Sequence, residues 1–149
     1  MSNIRPALAE DLPAVQKLVN AAYAPYIPRL GRAPGPMNDD YAAAIARGFV
    51  YLIETDGALA GLVVLIAEPG ALLLDNIAVA PAAQGHKIGR RLMEFAEETA
   101  RQRGLACLRL YTNELMTENI GWYARLGFSE THRGTEAGFR RVYMSRRLD

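Results

Sequence analysis

At 149 residues, half of them apolar, the chain has enough material for one domain with a proper core and too little for two. Seventeen Lys and Arg against sixteen Asp and Glu leave a formal charge of +1, so no overall field draws the protein to nucleic acid or an anionic membrane, and any anion site must be local. The single cysteine, Cys107, excludes an internal disulfide and reads as packing within the apolar run 105–110, while the two histidines, His86 and His132, stand too far apart in sequence for a metal site.

In chain order, a short extended segment from Ile4 to Pro6 precedes Asp11, which is expected to cap a helix carrying Leu12, Val15, Leu18, Val19 and Ala22 on one face. Residues 23–37 hold Pro25, Pro28, Pro34 and Pro36 with Gly31 and Gly35, which predicts a structured loop or lid in place of further helix. Asp39 or Asp40 offers a cap for a second short helix through Ala46, ending near Gly48. Two β-rich runs, 49–54 and 59–67, flank Thr55-Asp56-Gly57, a hairpin signal, and a third run at 72–79 completes an antiparallel meander.

Residues 88–103 predict a helix with Ile88, Leu92, Phe95, Ala96 and Ala100 on one stripe and Gly104 at its end. A strand at 105–112, a helix at 117–126 stopped by Gly127, and a last strand pair at 128–131 and 139–144 follow. There is no repeat or linker, so one α+β domain accounts for every element. With no leader or long apolar span before the polar residues Ser2 and Asn3, a cytoplasmic protein is expected.

The stretch from Asp75 to Arg90 carries the chemistry. A strand ends at Pro81, a short polar loop follows, and a helix opens near Ile88, so that backbone N–H groups and the helix N-terminus converge on one point. That arrangement suits a pyrophosphate, with Lys87, Arg90 and Arg91 adding charge. An ordinary strand-to-helix connection with solvated basic residues is the alternative that Gly85 and Gly89 alone leave open.

Gln84-Gly85-His86-Lys87-Ile88-Gly89 resembles the acyl-CoA loop of the GNAT superfamily of N-acetyltransferases, with Lys87 in place of the central glycine. A lysine fits there with a negative φ, its side chain reaching a phosphate. The resemblance runs from Ile4-Arg5-Pro6-Ala7 to Met144 and includes Ile77-Ala78-Val79 and the segment Gly121 to Phe128. It implies a twisted, mostly antiparallel sheet with helices on both faces and acetyl-CoA between the fourth and fifth strands. Gln84, Gly85, His86, Lys87, Ile88, Gly89 and Arg90 then hold the pyrophosphate, and Ile77, Ala78 and Val79 lend backbone groups to the pantetheine arm.

By the same resemblance Tyr123 is the general acid that protonates the departing thiolate, and Asn119, one turn earlier, approaches the coenzyme, with Asn113 as the other candidate. Packing of the Tyr123 ring alone is the structural alternative. A backbone N–H near residues 77–79 serves as oxyanion donor. For the base, Asp75 is the first choice, with Glu54, Glu114 or a relayed water as alternatives. The acceptor side is expected to be lined by Tyr23, Tyr26, Pro36, Met37 and Tyr111 together with Arg140 or Arg141, or else these aromatics form a satellite core. The expected reaction is acetyl transfer from acetyl-CoA to a primary amine of a small molecule or protein N-terminus, without metal, nucleic acid or membrane. A catalytically silent acyl-CoA-binding domain is the runner-up, a nucleotide-binding domain a distant third, and pairing of C-terminal strands offers a route to a homodimer.

Overall fold

The computed structural model describes residues 4–148; Ser2 and Asn3, on which the reading of the N-terminus turned, lie outside them. The chain opens with strand β1 (Ile4–Pro6) and helix α1 (Leu12–Tyr23), then the short helices α2 (Ile27–Leu30) and α3 (Tyr41–Ala46). Strands β2 (Val50–Thr55), β3 (Ala58–Glu68) and β4 (Ala71–Val79) form the meander. Helix α4 (Ile88–Gln102), β5 (Cys107–Asn113), α5 (Thr117–Arg125), β6 (Ser129–Glu136) and β7 (Phe139–Arg147) complete it. Among the described residues the seven strands form one sheet in the order β1-β2-β3-β4-β5-β7-β6. Every pairing is antiparallel except β4 with β5, which is the pair joined by the α4 crossover, as parallel neighbours require.

Local chemistry accounts for most boundaries. Asp56 and Gly57 both take positive φ, +52° and +77°, the double left-handed turn that suits a tight hairpin. Asp40 caps α3, accepting from the Ala43 amide at 3.0 Å. Asp11 does not cap α1: its carboxylate accepts from the Leu8 amide at 2.7 Å and pairs with Arg5 at 2.9 Å, closing the turn that leads into the helix. Nor is the proline-rich segment non-helical. Pro25 and Pro28 sit in the first turns of short helical pieces, where the missing N–H costs nothing, and Gly31 ends α2 with φ +78°.

Each face of the sheet buries its own core. On one, Leu92, Met93, Ala96 and Ala100 of α4 pack on Leu72, Leu74, Leu108 and Leu110. On the other, Val15, Leu18 and Val19 of α1 and Tyr41 and Ile45 of α3 cover Leu52, Leu62 and Val64. Strand β4 changes allegiance halfway. Its pairing with β3 runs Val64↔Asn76 and then Leu65↔Leu74, so Asp75 is an extra, bulged residue. Before the bulge Leu72 and Leu74 face α4; after it Ala78 faces α1, and Ile77 and Val79 turn to the α4 side. Pairing with β5 ends at the same place: it runs from Ala71↔Cys107 to Leu74↔Leu110 and goes no further. Beyond Leu74 the two strands part.

Helix α4 lies against the sheet at Gly61. A Cβ there would stand 2.9 Å from the Ala78 carbonyl oxygen and 3.1 Å from methyl groups of both Ile88 and Leu92. Gly61→Ala should therefore lower the unfolding free energy by about 1–3 kcal/mol, because the backbone carbonyl cannot yield without moving β4. Urea denaturation measures this, and unchanged stability would mean that α4 shifts without cost.

Candidate active site

The open edge of β4 forms the floor. The Ala80 amide donates to Ala60 of β3 at 2.8 Å, and successive residues of a strand point their backbone groups to opposite sides. The N–H and C=O groups of Ile77 and Val79 thus face the gap left by β5. Consistently, the Ile77 carbonyl accepts from the Tyr23 hydroxyl at 3.2 Å, from outside the sheet.

Above this edge, β4 feeds the loop into α4. Gly85 has φ +84° and Lys87 φ +62°. The expectation of a negative φ at Lys87 is overturned: the lysine takes the left-handed conformation that a glycine adopts freely, at a cost of about 1–3 kcal/mol. The loop's turn is thus kept without its glycine. No side chain caps the first turn of α4, which leaves its amides open to an anion. Gly89 serves a different purpose from Gly85: a Cβ there would press on the Trp122 ring at 3.3 Å, so the missing side chain lets α4 and α5 approach.

These groups line a solvent-open cleft of about 1350 Å³, which takes in Ile77, Ala78, Val79, Gln84, Gly85, Lys87, Ile88, Gly89, Arg90 and Trp122. His86 is exposed and does not line it; its amide donates to Ala83 at 3.4 Å. Tyr26 lines this cleft and not the smaller cavity, and Met37 lines neither, packing with the α1 core instead.

The smaller cavity, about 570 Å³, borders an earlier stretch of β4, at residues 74–77. Asp75 is the one carboxylate among its lining residues. The bulge aims it across the strand gap, where it accepts from Tyr111 of β5 at 2.7 Å. Burial first, and then this bond to the carboxylate, push the Tyr111 hydroxyl above its ordinary range. Arg141 stacks on the Tyr111 ring at 4.2 Å and pairs with Glu136 at 3.0 Å. The other base candidates are elsewhere: Glu54 pairs with Arg5 at 2.9 Å and Glu114 with Arg133 at 3.4 Å, and neither lines the cleft or the smaller cavity.

Cleft and cavity share four residues, Tyr23, Ile77, Asn119 and Tyr123. Tyr123 is 6% exposed, and burial holds its hydroxyl above the usual tyrosine range, so it is protonated at neutral pH. Its ring is fixed between Trp122 at 5.2 Å and Phe128 at 5.9 Å. Among the described residues its hydroxyl has no hydrogen-bond partner, and none of their fully buried side-chain oxygens lacks one, so this hydroxyl faces open space. Asn119 donates to the Met116 sulfur at 3.5 Å and borders both spaces, whereas Asn113 borders only the smaller.

Sequence reasoning missed Trp122 as a wall and Asn76 altogether. Asn76 is 4% exposed and ties Tyr23 to Tyr41. The adjacent polar pair Asp75-Asn76, interrupting an apolar strand, is the signal that marks the bulge. Among the described residues no group of three or more His, Cys, Asp or Glu could hold a metal ion, and no helix is long and apolar enough to cross a membrane.

Residues 14–128 match the acetyltransferase (GNAT) family. The chain is 33% identical over 144 residues to streptothricin acetyltransferase of Streptomyces lavendulae, covering 91% of this chain and 73% of that protein. Its fold is similar to that of the PaiA N-acetyltransferase of Thermoplasma acidophilum, solved in complex with coenzyme A, with a TM-score of 0.82 at 18% identity and 99% coverage of both chains. A nourseothricin acetyltransferase structure matches 66% of this chain and 64% of its own at 33% identity and a TM-score of 0.60.

The strained loop residue gives a test of whether backbone or side chain dictates position 87. Lys87→Gly should leave stability within about 1 kcal/mol of the parent, relief of left-handed strain being offset by the greater freedom of the unfolded glycine chain. Lys87→Val, branched at Cβ, should cost about 1–2 kcal/mol relative to Lys87→Gly. Equal stability of the two variants in urea would contradict the left-handed assignment.

Proposed function

The chain belongs to the acetyltransferase (GNAT) family, and on that basis we propose that it transfers the acetyl group of acetyl-CoA to a primary amine of a small molecule or a protein N-terminus. The observation that carries this reading is the meeting of two spaces at Tyr123. An anion-ready cleft lies on one side, a carboxylate-bearing cavity on the other, and an unpartnered phenol stands between them.

In this reading the open amides at the start of α4, with Lys87 and Arg90, receive the pyrophosphate, and the free edge at Ile77 and Val79 receives the amide-bearing arm. Gln84, Gly85 and Gly89 shape that cleft and Asn119 borders its inner end. The residues present therefore suit the coenzyme in charge, in shape and in free hydrogen-bonding groups. Acetyl-CoA supplies the thioester; the chain supplies the geometry and the protons.

The amine enters from the smaller cavity and must be uncharged to attack. As the C–N bond forms and the C–S bond breaks, an edge N–H of β4 meets the charge developing on the carbonyl oxygen. Tyr123 gives its proton to the departing sulfur. Burial makes the phenol a weaker acid and so keeps its proton in place until a thiolate forms beside it. Asp75, directly or through water, takes the proton the amine loses, which then returns to Tyr123 through solvent. Amine and acetyl thioester become amide and thiol, with all protons accounted for.

The acceptor is sought first in streptothricin, given the extent of similarity to the streptothricin enzyme, then in spermidine and an alanyl peptide as a polyamine and a protein N-terminus. Thiol release reports turnover. Tyr123→Phe should lower turnover by about 10- to 10,000-fold while calorimetric affinity for acetyl-CoA stays at the parental value. A variant that binds and turns over like the parent would remove Tyr123 from the chemistry, and a parent that binds acetyl-CoA but acetylates nothing would favour a silent coenzyme-binding domain.

A further inference from the structure

Buried beside the junction is a chain of hydrogen bonds whose direction is set from one end. A backbone carbonyl can only accept. The Tyr41 hydroxyl lies 2.6 Å from the Pro36 carbonyl oxygen and must donate to it. Its oxygen is then left to accept, which it does from the Asn76 side-chain nitrogen at 2.9 Å. That contact fixes the Asn76 amide, turning its oxygen towards Tyr23 at 2.5 Å. Tyr23 must therefore donate, and the other acceptor within its reach, the Ile77 carbonyl at 3.2 Å, is also acceptor-only.

The consequence is a division of labour between two phenols. The Tyr23 proton is committed inward, its oxygen lone pairs are left over, and no described residue donates to them. Tyr123 has an uncommitted proton. Both side chains border cleft and cavity alike. Resting on the acetyltransferase reading above, we infer that Tyr23 orients the acceptor amine: its oxygen accepts one N–H of the attacking nitrogen and so aims the nitrogen lone pair at the thioester carbon. Burial first, and then the neighbouring phenols of Tyr123, Tyr41 and Tyr26 with the Asp39 carboxylate, hold Tyr23 well above the usual phenol range, so it stays neutral and acts as a hydrogen-bond acceptor without taking the proton. Asn76 and Tyr41 are positioning residues that impose this polarity from the proline-rich segment.

A nitrogen that gives one hydrogen to the base and offers a second to Tyr23 must be a primary amine. The parent should therefore prefer a primary amine to its N-monomethyl counterpart by about tenfold or more, and Tyr23→Phe should narrow that ratio.

The test uses the full-length protein with streptothricin, spermidine and an alanyl peptide, continuing with the best of the three and its N-monomethyl counterpart. Tyr23→Phe is expected to lower kcat/KM for the amine by about 10- to 100-fold with acetyl-CoA affinity near the parental value, and to lower Tm moderately because the buried Asn76 oxygen loses its donor. Parental kcat/KM in the variant overturns the inference, as does a parent indifferent to N-methylation. A variant that folds but loses coenzyme affinity and amine turnover in parallel also overturns it, by showing that the hydroxyl only supports the wall; if the variant does not fold, the parent's discrimination against the N-monomethyl amine decides alone. If the parent acetylates none of the three amines, the acetyltransferase reading fails first, an outcome distinct from failure of the Tyr23 assignment alone.

Discussion

One extra residue in β4 organises the rest of the molecule. The bulge at Asp75 ends the pairing with β5 at Leu74↔Leu110 while the pairing with β3 continues to Gly61↔Val79. Unpaired backbone inside a protein is costly, and here three things make use of the opening. It frees the polar groups of Ile77 and Val79 along an edge. It sends the Asp75 carboxylate to Tyr111 across the gap. It also reverses the parity of the strand, so that Asn76 points to α1 and α3 and meets Tyr23 and Tyr41 there. A register without the bulge would bury Asn76 against the leucines of the α4 side.

The electrostatic character of the site follows from this layout. Positive potential gathers at one end, where the uncapped start of α4 adjoins Lys87 and Arg90. Carboxylate gathers at the other, in Asp75. Between them stand neutral hydroxyls, kept neutral by burial and differing in whether their protons are already committed. Rigid neighbours hold each: Trp122 and Phe128 the ring of Tyr123, the Asn76 relay the hydroxyl of Tyr23. The left-handed Lys87 adds local strain in the loop that leads into α4.

Where periodicity or a turn residue carries the information, the sequence is a good guide. The apolar stripe of α4, the Asp56-Gly57 turn and the run of small residues at the loop placed the sheet and the crossover helix with boundaries off by a residue or two as far as α5, whereas the last two strands run on to Glu136 and Arg147, beyond the expected ends at Thr131 and Met144. What local pattern could not supply was contact between distant residues. Tyr23 and Asn76 are 53 positions apart, and nothing near either announces the other. Met37 had the composition of a pocket residue but its segment carries it into the α1 core. Asp11 had the position of a cap, but Arg5 and the Leu8 amide claim its carboxylate. Lys87 hid a glycine-like conformation because the loop around it, not its own preference, sets its φ.

The claim on which all of this turns is that the β4 edge freed by the bulge is where the acetyl donor lies. Amide hydrogen exchange resolved to single residues tests it directly. Acetyl-CoA should slow exchange at the Ile77 and Val79 amides and across residues 85–90, while ATP at equal concentration leaves Ile77 and Val79 unchanged, because a nucleotide alone has no amide-bearing arm to pair with the strand. Saturating acetyl-CoA with exchange at Ile77 and Val79 unaltered would contradict the account, whatever protection appeared elsewhere.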